Sequence, residues 1–254
     1  MPLEVLPIPC LKDNYAYLVV QGDECLVIDP GDSAPVQAVL DDRELELIAI
    51  FCTHHHADHV AGVGDLIENW DAPVYAHRID HGRILGVSHP LEDGDAVELL
   101  GDRFRVLHNP GHTRGAISYF TDAMAFTGDT LFCGGVGRLL EGTFQELFAS
   151  TRRMMEALSP DSILYTGHEY AENNLRFASD LAPDDLAIRE RYATIRAARG
   201  RGECCAKTQL IDELATNLFL RVHEPELRER LGMPPDATPE LVFRELRIRK
   251  DRFG

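Results

Sequence analysis

The chain has 254 residues, enough for one large α/β domain or a main domain with a smaller one attached, and for a sizeable core. Its formal net charge of −17 repels nucleic acid and anionic membrane surfaces at long range, so neither is expected as a partner. Six cysteines without C-x-x-C spacing read as reduced thiols, no basic-then-apolar leader begins at Met1-Pro2-Leu3-Glu4, and no run has the length of a membrane span, so a cytoplasmic location is expected.

Strands are predicted over residues 3–8, 15–20 and 25–29, closed by the turn Pro30-Gly31-Asp32, and a short helix over 34–43 follows. The apolar run 47–52 reads as a buried strand and 60–69 as a helix. Between them lies Thr53-His54-His55-His56-Ala57-Asp58-His59, with the spacing H-x-H-x-D-H at a strand end, where open α/β sheets bind ligands. On an extended backbone His54, His56 and Asp58 share one face and His55 points away. His59 breaks that alternation, so the chain must turn, giving one crowded site or two adjacent ones. Imidazoles and a carboxylate suit Zn, Mn or Fe.

Beyond the cluster, residues 73–76 read as a strand, and the polar segment carrying His77, His81 and His89 reads as surface loop. Strands over 96–100, 104–108, 117–120 and 124–126 suggest a second sheet. A helix over 144–158 shows apolar residues at three and four spacing, and a strand over 162–166 follows. After a boundary near residue 171 every remaining segment reads helical: 175–181, 185–199, 209–219, 225–231 and 239–252.

Three further donors follow a glycine at a strand end or turn: His112 in Gly111-His112-Thr113, Asp129 in Gly128-Asp129-Thr130 and His168 in Gly167-His168-Glu169. A glycine there lets the backbone turn tightly toward a shared centre. With His54, His56, Asp58 and His59 they make seven donors, whereas one tetrahedral ion needs three or four. Seven suit two ions, with Asp129 the natural bridge because a carboxylate has two oxygens.

The ordered set T-H-x-H-x-D-H, G-H-T, G-D-T-L-F and G-H-E-Y resembles the metallo-β-lactamase superfamily and, within it, the glyoxalase II family of hydroxyacylglutathione hydrolases, over essentially the whole chain. The resemblance implies a four-layer αββα sandwich over residues 1–170 and a small all-helical, glutathione-binding domain over 171–254. It implies that His54, His56 and His112 bind one metal, that Asp58, His59 and His168 bind the other, and that Asp129 bridges them. The ions are expected to be Zn2+, with Fe or Mn also suited. Asp29, before Pro30-Gly31, is either an outer partner of the ligands, as the resemblance suggests, or ordinary turn chemistry.

The implied activity is hydrolysis of S-(2-hydroxyacyl)glutathione thioesters such as S-D-lactoylglutathione to D-lactate and glutathione, the second step of methylglyoxal detoxification, by a monomer. Asp58 is expected to act catalytically on a water between the metals. Arg138, in a loop similar to the family's glutathione-contacting one, together with Tyr170, Arg247 and Lys250, is expected to hold substrate. Arg247 and Lys250 are three apart on one helical face, where a cationic pair in an acidic protein can hold a carboxylate. The chain departs from the family at Leu140, where an aromatic is usual, and leucine has no hydrogen bond to offer glutathione. Cys133 has no paired base and is assigned to packing. The competing activity is a mononuclear-iron glutathione persulfide dioxygenase. The acidic charge disfavours a nuclease of the same superfamily, and the full donor set disfavours a non-enzymatic binding protein.

Overall fold

A computed structural model describes residues 3–253 of the chain. Met1, Pro2 and Gly254, at the outer ends of the two expected domains, lie outside the described residues. One six-stranded sheet runs in sequence order: β1 (Glu4–Cys10), β2 (Asn14–Gln21), β3 (Glu24–Ile28), β4 (Glu46–Phe51), β5 (Val74–His77) and β6 (Val87–Leu91). β1 to β3 form an antiparallel meander and β3 to β6 pair in parallel. The second sheet has the order β14-β13-β10-β9-β8-β7, built from β7 (Ala96–Leu99), β8 (Asp102–His108), β9 (Ile117–Phe120), β10 (Met124–Gly128), β13 (Ile163–Thr166) and β14 (Lys207–Gln209). A separate hairpin joins β11 (Leu131–Phe132) to β12 (Gly135–Val136).

Burial explains the layering. β2 is buried along nearly its whole length because both its faces are covered, the pattern of a central sandwich strand. Tyr17, Phe51, Phe104, Tyr119 and Phe126 pack in the space between the two sheets. The outer face of the first sheet is covered by α1 (Ser33–Arg43) and α3 (Val63–Trp70), through Val36, Leu40, Val63 and Leu66. Between α3 and β4 lies the single turn α2 (Ala57–Val60). The second sheet is covered by α4 (Phe144–Ala157), whose start is fixed by a reciprocal capping box between Thr143 and Glu146. The same core takes in the C-terminal helices α5 (Ala171–Leu181), α6 (Leu186–Gly200), α7 (Leu210–Thr216), α8 (Pro225–Arg230) and α9 (Pro239–Arg252). The result is the expected four-layer αββα sandwich with a helical C-terminal domain.

Several expectations need correction. The region after 171 is not wholly helical, since β14 pairs antiparallel with β13 and extends the second sheet. The polar segment after β5 contains a strand, β6, whose middle residues are exposed, so its sequence carries no hydrophobic signature. His77 is buried and its ring stacks on His108 at 4.1 Å, whereas His81 and His89 are exposed as expected.

Candidate metal centre

All seven candidate ligands meet at one edge of the sandwich, and chain direction explains why. Parallel neighbours β3 and β4 end side by side, which brings Asp29 and the His cluster together. On the facing sheet β10 and β13, also parallel, end at Asp129 and His168. His112 comes from the turn between β8 and β9. The glycines do what their positions suggest: Gly128 has φ +48, and a Cβ on Gly167 would lie 2.3 Å from Asp129 Oδ1, so no larger residue leaves room for the Asp129 carboxylate.

The side chains form two groups. His54 Nε2 and His112 Nε2 each lie 3.0 Å from His56 Nδ1. His59 Nε2 lies 3.3 Å from His168 Nε2, and Asp58 Oδ2 lies 3.5 Å from His168 Nε2 and 4.0 Å from His59 Nε2. Within each group the donor atoms all fall within 4.8 Å of one another. Asp129 spans the groups, with Oδ1 3.3 Å from His59 Nε2, and Oδ2 3.3 Å from His168 Nε2 and 3.4 Å from His112 Nε2. His55 points elsewhere, toward Asp80 and Glu141.

Outer hydrogen bonds decide which nitrogen of each ring faces inward. His112 Nδ1 donates to the Arg138 carbonyl at 2.8 Å, His168 Nδ1 to Asp13 Oδ1 at 3.0 Å and His59 Nδ1 to Asp29 Oδ2 at 3.0 Å. These partners only accept, so the inward Nε2 of each neutral ring carries a lone pair. Thr53 Oγ1 donates its proton to Asp29 Oδ2 at 2.6 Å and therefore accepts from His54 Nδ1 at 3.1 Å, giving His54 the same tautomer. Asp29 also takes the Thr53 N–H at 2.7 Å. Of the two open readings of Asp29, the outer-partner role is the one the contacts support, and the turn geometry accompanies it: Asp29 sits at φ 52.

Such convergence of lone pairs fits a cation and little else. Burial holds His54 well below and His112 below the usual imidazole range, and brings His56 down to about 4, so all three are neutral, ligand-ready rings at neutral pH. Around the second group carboxylates reverse the balance. Burial opposes charge on His59 and His168, but the Asp129 carboxylate, with Asp29 beside His59 and Asp13 beside His168, outweighs it and pushes both upward. Burial would raise Asp129, yet His59 and His168 hold it well below the carboxylate range, and its buried Oδ1 has only the ion-pair contact with His59 Nε2 at 3.3 Å among the described residues, without a well-formed hydrogen bond. A buried carboxylate oxygen so weakly matched favours a cation against it.

A cavity of ≈ 850 Å³ opens over both groups, lined by His56, Asp58, His112, Asp129 and His168 on its floor. Its walls include Arg138, Leu140, Tyr170, Arg247 and Lys250, so every candidate substrate residue reaches it. Tyr170 stacks on His168 at 4.7 Å with an interplanar angle of 4°. Arg247 and Lys250 are not an exposed helix end: they are 3% and 8% exposed. Arg247 Nη1 donates to the Val136 carbonyl at 2.7 Å, and Lys250 Nζ donates to the Asn173 carbonyl at 3.2 Å. Leu140 is 61% exposed at the rim. Asn173 and Asn174 also line the cavity and carried no spacing signal that singled them out.

Residues 12–168 match the family model of the metallo-beta-lactamase superfamily, and residues 169–253 match that of the hydroxyacylglutathione hydrolase C-terminus. A hydroxyacylglutathione hydrolase of Cereibacter sphaeroides is 43% identical over 257 residues, covering 100% of both chains. Another, from Alkalilimnicola ehrlichii, is 43% identical over 256 residues, covering 98% of this chain and 99% of the relative. Among solved structures, a protein in a di-iron-bound form is 34% identical with a TM-score of 0.55, covering 65% of this chain and 91% of that one.

Proposed function

The chain belongs to the metallo-β-lactamase superfamily and, within it, to the hydroxyacylglutathione hydrolases, and from that membership we propose a two-ion thioesterase acting on S-(2-hydroxyacyl)glutathione, such as S-D-lactoylglutathione. The observation that carries this reading is the pair of donor groups joined by Asp129 beneath a cavity with cationic walls. His54, His56 and His112 would hold one divalent ion, Asp58, His59 and His168 the other, and Asp129 both. The di-iron form of the 34% identical structure supports a count of two. Imidazole and carboxylate donors suit Zn, with Fe and Mn alternatives. Bound there, such ions supply Lewis acidity for the thioester carbonyl and a water that ionises near neutral pH.

The chain's own groups do the rest. Burial would raise Asp58, but the Asn14 amide, 3.0 Å from Oδ2, and the neighbouring His59 and His168 keep it ionised. Its side chain is 41% exposed, which places an unsaturated carboxylate where it orients the attacking water or takes its proton. Burial pushes the Tyr170 phenol up to about 12, so it stays protonated and offers an O–H to substrate. Arg138, Arg247 and Lys250 line the cavity, and their cations would complement the two carboxylates of glutathione. The departing thiolate is stable enough that no separate general acid is required. Burial drives Cys133 well above the thiol range, which fits packing and not nucleophilic attack.

Lys250 gives this reading a pH signature. Burial, followed by Arg247, Arg176 and Arg138, lowers its ammonium to about 7, with Asp251 opposing. The cation is present below that value and lost above it. Accordingly kcat/KM should fall as pH rises through about 7, by at most about tenfold per unit, with little change in kcat. Lys250→Arg should flatten that limb. A limb that persists unchanged in Lys250→Arg would remove Lys250 from substrate binding.

The match of residues 169–253 to the hydroxyacylglutathione hydrolase C-terminus supports the hydrolase over the persulfide dioxygenase. S-D-lactoylglutathione hydrolysis followed in parallel with oxygen uptake on glutathione persulfide separates them. Thioester cleavage without oxygen uptake is the expected result, and oxygen uptake with the thioester left intact would overturn the proposal.

A further inference from the structure

Residues 132–136, which include the tip of the β11–β12 hairpin, are held by side chains that all come from the helical C-terminal domain. Asn217, just after α7, donates to the Phe132 carbonyl at 3.4 Å and the Gly135 carbonyl at 3.1 Å. Asn174 on α5 donates to the Cys133 carbonyl at 3.1 Å. Arg247 on α9 donates to the Val136 carbonyl at 2.7 Å. Glu213 on α7, itself 0% exposed, accepts the Gly134 N–H at 2.8 Å. Every residue of the run thus has a backbone group bound to one of four buried side chains. The side chains brace one another, since Asn217 donates to Glu213 at 2.9 Å and Arg191 on α6 pairs with Glu213.

The same hairpin touches three candidate ligands. Asp129 stands two residues before β11, and the Gly137 N–H closes the hairpin onto the Thr130 carbonyl at 3.1 Å. At the other end the Arg138 carbonyl takes the His112 Nδ1 proton at 2.8 Å. Between them the Phe132 ring sits edge-on to His168, 6.0 Å between centroids. A shift of this loop would therefore move the bridging carboxylate, change the tautomer of one imidazole and unpack another. Buried polar groups that are fully paired fix geometry in this way, because each alternative position leaves one of them unpaired in a low-dielectric interior.

We infer that Glu213, Asn217 and Asn174 are positioning residues for the metal centre, and that the helical domain, besides walling the substrate cavity, clamps the hairpin that orients Asp129, His112 and His168. This rests on the two-ion reading above, but its test needs no substrate. The metal-loaded protein and its Glu213→Gln and Asn174→Ala variants are mixed with excess chelator, and ion release is followed by absorbance, with circular dichroism confirming the fold. Leu227→Ala, which empties a buried apolar site on α8, controls for loss of stability alone. Release is expected to be about tenfold or more faster in both clamp variants and parental in Leu227→Ala. If Glu213→Gln does not fold, Asn174→Ala decides. Release within about twofold of the parent in folded clamp variants, or equal acceleration in Leu227→Ala, overturns the inference. A parent that binds metal but leaves S-D-lactoylglutathione intact would instead overturn the proposed substrate and leave the clamp standing.

Discussion

Asp129→Ala is expected to lower thioesterase kcat by about a thousandfold or more, because it removes the carboxylate set between the inward nitrogens of both donor groups and with it several kcal/mol of charge stabilisation. Its oxygens lie 3.3 to 3.4 Å from nitrogens of His59, His112 and His168, so they face the inward nitrogens of both groups. Metal content should drop with activity, since each remaining trio keeps its own donors but loses the shared negative charge. Asp129→Asn should fall nearly as far: the amide keeps the shape but supplies one oxygen and no charge. Either variant retaining activity within tenfold of the parent and a full complement of metal would show that the groups do not act as one centre. Steady-state rates with elemental analysis on the same samples decide it.

Asp29→Asn is expected to weaken metal binding and activity by about 10- to 100-fold, although Asp29 touches neither ion nor substrate in the proposed scheme. The argument is one of tautomers. Asp29 takes three protons, from the Thr53 N–H, the Thr53 hydroxyl and His59 Nδ1. An asparagine has one accepting oxygen, so its NH2 must face at least one of these donors. If it replaces Oδ2 it faces both the Thr53 hydroxyl and His59 Nδ1, so the hydroxyl turns, the orientation of His54 is lost, and the His59 imidazole must move its proton to Nε2 and lose the lone pair that points at Asp129 and His168. If it replaces Oδ1 it opposes the Thr53 N–H, and that buried hydrogen bond is lost. Asparagine tolerates the left-handed backbone at this position, so the substitution isolates the hydrogen bonds from strain. Unchanged metal affinity and rate in Asp29→Asn would mean that these contacts only close the Pro30-Gly31 turn.

These cases also mark how far the sequence could be read. The strand-end placement of the His cluster and the glycines before His112, Asp129 and His168 are local signals with a physical reason, and they located the centre. Partition of the donors into two groups was not legible from spacing, because α2 turns the chain between His56 and His59 and a one-turn helix has no periodicity. The resemblance supplied it, and the donor atoms of each trio lie within 4.8 Å of one another, although Asp29 clusters equally with His54 and His59. The burial of Arg247 was hidden for another reason. Charged residues near a helix C-terminus complement its dipole and give no local sign of burial, and the β11–β12 hairpin, two residues per strand, gives Arg247 a buried carbonyl to hold. β14 is nearly as short, three residues, and borrows its partner from a strand more than forty residues earlier. His77 is buried by stacking on His108, a tertiary contact between two sheets that no local pattern announces.

Metal stoichiometry measured against activity is the most direct test of the two-ion account. Purified protein should hold about two divalent ions per chain, and thioesterase activity should vanish as the average falls toward one and return when the second ion is restored. Full S-D-lactoylglutathione hydrolysis at one ion per chain would contradict it.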